Sequence, residues 1–491
     1  MEKVAIILPP SPHLCDERVF PQLGPLRVAG ALTQAGVPVD VLDCSGYQNY
    51  AEIAAKYAGE VDSNIFAIGT TTPQLPNAES IIKAIRQTKP SAKVILGGVH
   101  VTTACASYKR EKKIGNPGRG TRAFNHLFSI ADVLISGDGE KSILIAIGND
   151  SPNLIDADDP ESPLFLQEEE VSQYPFPRRD LIDLDSYHYL IDGVRSTSLI
   201  SQLGCPMQCN YCGARLSPSF RRMRLRDTAN VIEEIKYIYE NWKINGLFWL
   251  DDELNINPNL IRDLGEFRKL QDRLGVQFYC RGFLKSERIT EPQAKALRDS
   301  GFTNVLIGFE NAHPRILKNI RKMATREQNT RAMEICHKVG LKVKALMSIG
   351  HAGESHETIE STKDWLIQVQ PHDMDITMIQ PYLSTPIFDE AVETDKRGIW
   401  VYTAKDGDRL YMKDITFHEK ATYYKGIPGE YEANVFTDFI SSEELAKARD
   451  QVELEVREKL GIKFYSISPS AIYEHSMGQG FPSSILKQSD I

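Results

Sequence analysis

The chain has 491 residues, 42% hydrophobic and 25% charged, with a formal net charge of −9 and a pI near 5.8. This is an ordinary globular composition with room for two or three domains, and its acidic balance argues against a nucleic-acid partner, which needs a concentrated basic face. No apolar run approaches the ~20 residues of a membrane-spanning helix, and the first, Val4 to Leu8, is too short for a secretory signal and runs straight into Pro9-Pro10; a cytoplasmic protein whose cysteines are thiols rather than disulfides is expected.

Residues 1–150 read as alternating strands and helices. Strands are expected at Val4 to Leu8, Val37 to Leu42, Ile65 to Gly69, Lys93 to Leu96 and Asp132 to Ile135, with helices at Leu26 to Gln34 and Ala78 to Gln87. Buried strands alternating with helices imply a parallel, doubly wound, Rossmann-like sheet. Glycine- and proline-rich breaks follow the strands: Pro9-Pro10-Ser11, Thr70-Thr71-Thr72-Pro73, Gly97-Gly98 and Gly137-Asp138-Gly139-Glu140. In open α/β sheets that edge is where ligands bind. The basic run Lys109 to Lys113 reads as a solvated loop.

Residues 151–196 are acidic and proline-rich and read as an interdomain connection. Within them Tyr174 to Asp180 reads as an extended, packed segment. Residues 197–390 carry a second series, with strands at Ser198 to Gly204, Gly246 to Asp251, Val276 to Arg281, Asn304 to Glu310, Val343 to Gly350 and Asp375 to Pro381. Helices intervene at Thr228 to Trp242 and Glu291 to Ser300. Six strands in this order suggest a partial (β/α)6 barrel, with Asp251, Asp252, Arg281, Glu310 and Gln380 at its catalytic edge. Residues 391–491 read as a mixed, mainly helical region, with one clear helix at Ser441 to Leu460 opened by a capping signal.

The chemistry is concentrated in Gly204-Cys205-Pro-Met-Gln-Cys209-Asn-Tyr-Cys212. Thiolates are soft ligands suited to iron–sulfur clusters. Three on one tight loop hold three corners of a cubane and leave the fourth iron open, by the logic of an open catalytic metal position. Structural zinc fits less well, since it usually takes four ligands and no second cysteine pair or nearby downstream histidine exists. Cys15, Cys44, Cys105, Cys280 and Cys336 are scattered singly, as small core residues commonly are.

A CxxxCxxC loop after the first strand of a partial barrel resembles the radical SAM superfamily. The resemblance implies a 4Fe–4S cluster on Cys205, Cys209 and Cys212 whose open iron chelates S-adenosylmethionine (SAM), with Tyr211 near the adenine. It continues through Leu250-Asp-Asp-Glu253, Gly308-Phe-Glu310-Asn311 (G-x-E-S), Gly350-His-Ala-Gly353-Glu354 (G-x-P-G-E-T) and Gln380-Pro-Tyr-Leu-Ser-Thr-Pro386 (Q-P-Y-P-G-T-P), with Asn311, Ala352 and Ser355 as departures. It thereby implies SAM contacts at Tyr211, Asp251, Asp252, Arg281, Glu310 and Gln380. The first 150 residues resemble the cobalamin-binding domain that precedes many such barrels. The implied contacts are Pro10, Ser11, Thr70, Thr71, Thr72, Gln74, Gly97, Gly98, His100, Gly137, Gly139 and Glu140. The D-x-H-x-x-G motif of cobalt-ligating domains is replaced by Ser11-Pro-His13-Leu-Cys15-Asp16, so neither His13 nor His100 is assigned to cobalt, and Thr72 to Leu75 is the candidate for the lower face. A looser match, Tyr424 to Tyr431, lies in the last hundred residues, which are expected to close the barrel mouth.

The resemblance implies a cobalamin-dependent radical SAM enzyme, most often a methyltransferase on an unactivated carbon of a small molecule, supplied with electrons by a donor such as flavodoxin or ferredoxin. A relative performing cyclisation, ring contraction or rearrangement is the alternative. A methylthiotransferase using Cys15, Cys44 and Cys105 for a second cluster fits poorly, because their contexts do not match. A non-catalytic cobalamin or redox sensor is opposed by the intact cysteine triplet.

Overall fold

The computed structural model describes residues 2–11, 17–213, 215–421 and 432–463. His13, Cys15 and the segment 424–431 lie outside the described residues.

Six short parallel strands build the N-terminal sheet: β1 (Val4–Leu8), β2 (Val39–Asp43), β3 (Ile65–Gly69), β4 (Lys93–Gly97), β5 (Val133–Gly137) and β6 (Leu154–Ala157). Their order is β2-β1-β3-β4-β5-β6, so the chain reverses direction beside β1. Strands buried on both faces need apolar side chains at every position, and β1 is VAIIL throughout. Val4, Ile6 and Leu8 enter one core with helices Leu23–Gln34 and Gly139–Ala146. Ala5 and Ile7 enter the other, with helices Tyr50–Glu60, Leu75–Thr88 and Val99–Ile114. The doubly wound sheet is as expected, but β6 extends it past residue 150 into what reads as a connection.

The basic run is a correction. Lys109 to Lys113 closes the helix Val99–Ile114 rather than forming a loop. Cations favour a helix C-terminus, and two of them are engaged: Lys109 with Asp156 at 2.6 Å, and Arg110 with the Asp389 carbonyl. The segment Tyr174 to Asp180 is ordered as expected. The Arg178 amide donates to Leu26 O at 3.1 Å, and buried Arg179 pairs with buried Glu234 at 2.7 Å.

A second sheet begins inside the same connection with β7 (Leu190–Ile191), antiparallel to β8 (Val194–Leu199). A two-residue ribbon follows, β9 (Gln202–Leu203) with β10 (Arg224–Leu225). Then come β11 (Gly246–Trp249), β12 (Tyr279–Leu284), β13 (Phe302–Glu310), β14 (Lys342–Ile349) and β15 (Asp373–Met378). The curled sheet runs β15-β14-β13-β12-β11-β8-β7, which is the expected six parallel strands plus one antiparallel edge. The predicted helix Thr228–Trp242 is reproduced, with Lys243 in the left-handed conformation at its end.

The C-terminal region is mixed. Besides the helix Ser442–Leu460 it contains an antiparallel sheet the sequence reading did not pick out: β16 (Val392–Glu393), β17 (Ile399–Thr403), β18 (Arg409–Lys413) and β19 (Val435–Phe436). The helix covers the open edge of β15. Arg449 donates to Ile376 O at 3.1 Å, and Arg457 to Met374 O while pairing with Asp373 at 3.0 Å. An unpaired strand edge invites association, and these two buried arginines satisfy its carbonyls. Leu383, Phe388 and Phe417 enter the core of the N-terminal sheet, so barrel and sheet share packing. Among the described residues no helix is long and apolar enough to cross a membrane.

Candidate functional site

The cysteine loop leaves β9 through Gly204, whose φ is +80°. A side chain there would come within 2.3 Å of Arg222 O, so only glycine lets the ribbon close this tightly. Backbone bonds then pin the loop. The Cys205 amide donates to Phe220 O at 2.8 Å, and the Asn210 amide to Ile320 O at 3.1 Å. The Asn210 side chain adds Asn319 O at 2.8 Å. Arg221 donates to Pro206 O at 2.9 Å and also to Met207 O. Cys209 is buried, Cys205 half-buried and Cys212 exposed. Among the described residues no three His, Cys, Asp or Glu side chains gather as a single-ion site. A cubane asks for something else, since each thiolate binds a different iron.

Asp251 lies beneath this loop. Fully buried, it accepts from the Ser201 amide at 2.6 Å, the Gln202 amide at 3.0 Å and the Ser201 hydroxyl. Burial pushes its pKa up to about 6 against those donors. Asp252 is exposed at the surface; desolvation moves it likewise to about 6, with the Gly204 amide opposing the rise. Asp251 therefore holds the chain that leads into the cysteine loop, and Asp252 stands beside it.

Beside the loop is a cavity of about 270 Å³ lined by Tyr211, Glu310, Ser348, Asp375, Thr377 and Gln380, among others. Glu310 has φ +66° at a register shift between β13 and β14. This left-handed bulge ends the strand and turns the carboxylate inward. It accepts from Ser348 at 2.8 Å and Lys322 at 3.3 Å. Burial alone would raise its pKa, but Lys322 and Ser348 bring it below the ordinary value. Gln380 is buried, and its amide nitrogen has no hydrogen-bond partner among the described residues. His351, buried, meets Ser348 at 2.8 Å and stands edge-on to Tyr211 at 5.4 Å. Tyr211, Glu310 and Gln380 thus share one cavity, as the sequence suggests.

Arg281 does not join them. The strand predicted to end there runs on to Leu284, which leaves Arg281 in mid-strand. It is fully buried, donating to the Tyr189 hydroxyl and lying 5.0 Å from the Phe248 ring centroid. Two buried cations near the cysteines were missed by the sequence reading, Lys285 by Cys205 and Lys322 by Cys209, at 1% and 4% exposure. Lys285 donates to Lys322 O at 3.4 Å. The residues on either side of Lys322, Arg321 and Met323, are both left-handed, and that turn leaves Lys322 facing inward. A lysine followed by no glycine carries no sequence signal for such a turn.

A second cavity, about 240 Å³, opens at the C-terminal edge of the N-terminal sheet. Gly97, Gly98, Gly137, Gly139 and Glu140 line it, together with Ile95, Ile135 and Ile143. Gly98 and Gly137 are left-handed, and a side chain on either would strike backbone at 2.7 and 2.6 Å. Gly97 differs, since its nearest obstacle is the Ile135 side chain at 3.5 Å. Glu140 pairs with Arg27 at 2.9 Å. Ile200 and Leu203 close the cavity from the barrel side.

The other residues assigned to this ligand are used locally and do not line that cavity. Gln74 donates to Pro9 O at 2.8 Å and caps Thr71. Asn77 donates to Pro10 O at 3.1 Å, and the Ser11 amide to Glu17 at 2.7 Å. Buried Thr72 meets buried His100 at 3.0 Å, and burial lowers the His100 pKa to about 3. Thr70 accepts the His100 amide at 3.1 Å. The turn Thr72–Gln74 is therefore a braced platform at the sheet edge, with Thr71 exposed on it.

Residues 199–366 match the family model for the radical SAM superfamily, and residues 15–128 the one for the B12 binding domain. An uncharacterized methyltransferase of Pyrococcus horikoshii is 26% identical over 396 residues, 79% of this chain and 83% of that protein. An anaerobic magnesium-protoporphyrin IX monomethyl ester cyclase of Cereibacter sphaeroides is 24% identical over 74% of this chain, which spans 59% of the cyclase. Among solved structures, a radical S-adenosylmethionine methyltransferase from Kitasatospora setae, with cobalamin and a 4Fe–4S cluster bound, shares the fold with a TM-score of 0.64 at 18% identity. The overlap covers 83% of this chain and 81% of that one.

Proposed function

We propose that this chain, a cobalamin-dependent radical SAM enzyme by its two matched domains, transfers a methyl group to an unactivated carbon of a small molecule. One observation carries the reading: the single stretch 203–211 supplies a wall to both cavities, Leu203 to the glycine-lined one and Tyr211 to the barrel one. A reaction that passes a group between two cofactors needs both on one partition, with water kept out.

The residues fit the groups the family implies. Three thiols stand on a loop fixed by backbone bonds, and Gly98 and Gly137 bring bare backbone to the cavity wall where a side chain would clash. When bound, the cluster would supply one-electron cleavage of SAM, and cobalamin a methyl carrier. Cys205, Cys209 and Cys212 would ligate the cluster. Glu310, held ionised by Lys322, and Gln380, with its spare N–H, would take the polar end of SAM. Tyr211 would pack against its ring. Gly97, Gly98, Gly137 and Gly139 would admit cobalamin to the sheet edge, with Thr71 on the platform beside it. Asp251 would act through the loop it holds, with Asp252 beside it.

The cyclase relative favours a second reading, in which both cofactors are kept and no methyl moves. Product counting separates the two. The anaerobically reconstituted chain, given SAM, cobalamin and a one-electron reductant, is expected to form S-adenosylhomocysteine alongside 5′-deoxyadenosine. Formation of 5′-deoxyadenosine alone with the true substrate present sinks methyl transfer.

A further inference from the structure

The partition between the cavities is fastened to the N-terminal domain by buried charge. Arg224, the first residue of β10, is 2% exposed. Its guanidinium lies 2.6 Å from Asp138 and donates to Leu166 O and Ser219 O, each at 2.7 Å. Asp138 lines the glycine cavity. Asp158, just past β6 and also 2% exposed, accepts from the Ser217 hydroxyl at 2.7 Å and the Ser219 amide at 2.8 Å. On its other side the same short segment grips the cysteine loop. Phe220 O receives the Cys205 amide, Arg221 reaches Pro206 O, and Arg224 pairs across the ribbon with Leu203.

The path is close-packed at Gly204. The absent side chain of Gly204 leaves only enough room for Arg222 O. A displacement of Asp138 or Leu203 in the cavity wall is therefore a displacement of the segment that fixes Cys205. A fork with three separate acceptors transmits orientation as well as charge.

We propose that Arg224 is a positioning residue that couples the two halves of the site: filling the glycine-lined cavity orders residues 205–212, and an ordered, cluster-bearing loop tightens that cavity's hold on its ligand. The inference rests on the cobalamin reading above. Such coupling is reciprocal by thermodynamic necessity, and couplings of this kind usually run from about 5-fold upward.

The test uses the full-length, cluster-free chain and hydroxocobalamin, with amide hydrogen exchange read in peptides spanning 203–212. In the parent chain, exchange is expected to slow about 5-fold or more on binding. In Arg224→Gln, bound to the same extent by its absorption spectrum, the slowing is expected to disappear. A purely structural role would change exchange equally with and without hydroxocobalamin; only coupling changes the difference. Binding without slowing in the parent, or slowing preserved in Arg224→Gln, overturns the proposal. If Arg224→Gln shows no cooperative melt, Asp138→Asn, which keeps the shape and weakens the pair, carries the test. It should lose at least about half of the slowing on the same scale, and full retention overturns the proposal. A flat spectral titration of the parent chain removes the cobalamin reading and this inference with it, so the two failures are distinguishable.

Discussion

The two cavities draw on one stretch, 203–211, for a wall but are built on different principles. The N-terminal one is walled by glycines and isoleucines, and its charges are already spent on each other: Arg27 on Glu140, Asp138 on Arg224. The barrel cavity holds groups whose demands are unmet or opposed: a buried amide whose N–H has no partner among the described residues, and a left-handed glutamate between Lys322 and Ser348. A cavity of the first kind selects by shape, and one of the second by charge and hydrogen bonding. Perturbing pH, volume and a single donor should therefore act on the two sides differently.

The largest effect is expected from pH, on the barrel side. Glu354 is fully buried on the loop after β14, and burial raises its pKa to about 7 although Thr358 donates to it at 2.6 Å. Because its folded pKa lies above its unfolded one, its contribution is complete below about pH 4.5 and is lost as pH rises to about 7. The cost by neutral pH is about 3 kcal/mol. Glu354→Gln should flatten the stability slope over that window by up to ~1.4 kcal/mol per pH unit. Denaturant titrations at several pH values read it, and an unchanged slope would remove Glu354 as the source.

On the other side volume should decide. Gly97 has ordinary backbone geometry and 3.5 Å of clearance, so alanine should be accommodated. Leucine would project into the cavity of about 240 Å³. Gly97→Leu is expected to weaken hydroxocobalamin binding by ~1–3 kcal/mol, roughly 5- to 150-fold, with the iron content of the reconstituted chain unchanged. Loss of iron as well would show that the substitution disturbs the partition and not just the space.

How far these features were legible in the sequence follows the same division. Shape was readable, because glycines after strands and apolar runs announce themselves: β1, β3 and the helix Thr228–Trp242 came out where expected. Charge placement was not. The strand expected over Val276 to Arg281 is shifted along the chain, because Gly275 caps the preceding helix and the strand runs from Tyr279 to Leu284, which puts Arg281 inside it. Lys285 and Lys322 look like any surface lysines, and only the left-handed turn at 321–323 puts the second inside. The antiparallel sheet from β16 to β19 was missed because two of its strands have two residues, too few for a period. The resemblance placed Asp251 and Asp252 near SAM; the hydrogen bonds of Asp251 go to Ser201 and Gln202, ahead of the cysteine loop.

The smallest expected effect is the most diagnostic, because its two consequences have opposite signs. The Gln380 amide nitrogen is buried without a partner among the described residues, and an unmade buried hydrogen bond costs about 1–3 kcal/mol. A chain selected only for stability would not keep it. Gln380→Leu, close in volume and without the donor, should leave the ligand-free chain equally stable or more stable by up to about 1 kcal/mol. It should also weaken SAM binding by ~1 kcal/mol, roughly fivefold. Thermal melts with and without SAM read both at once. A variant destabilised in both states would make Gln380 part of the barrel's packing, whereas opposite signs would mark the spare N–H as held in reserve for a ligand.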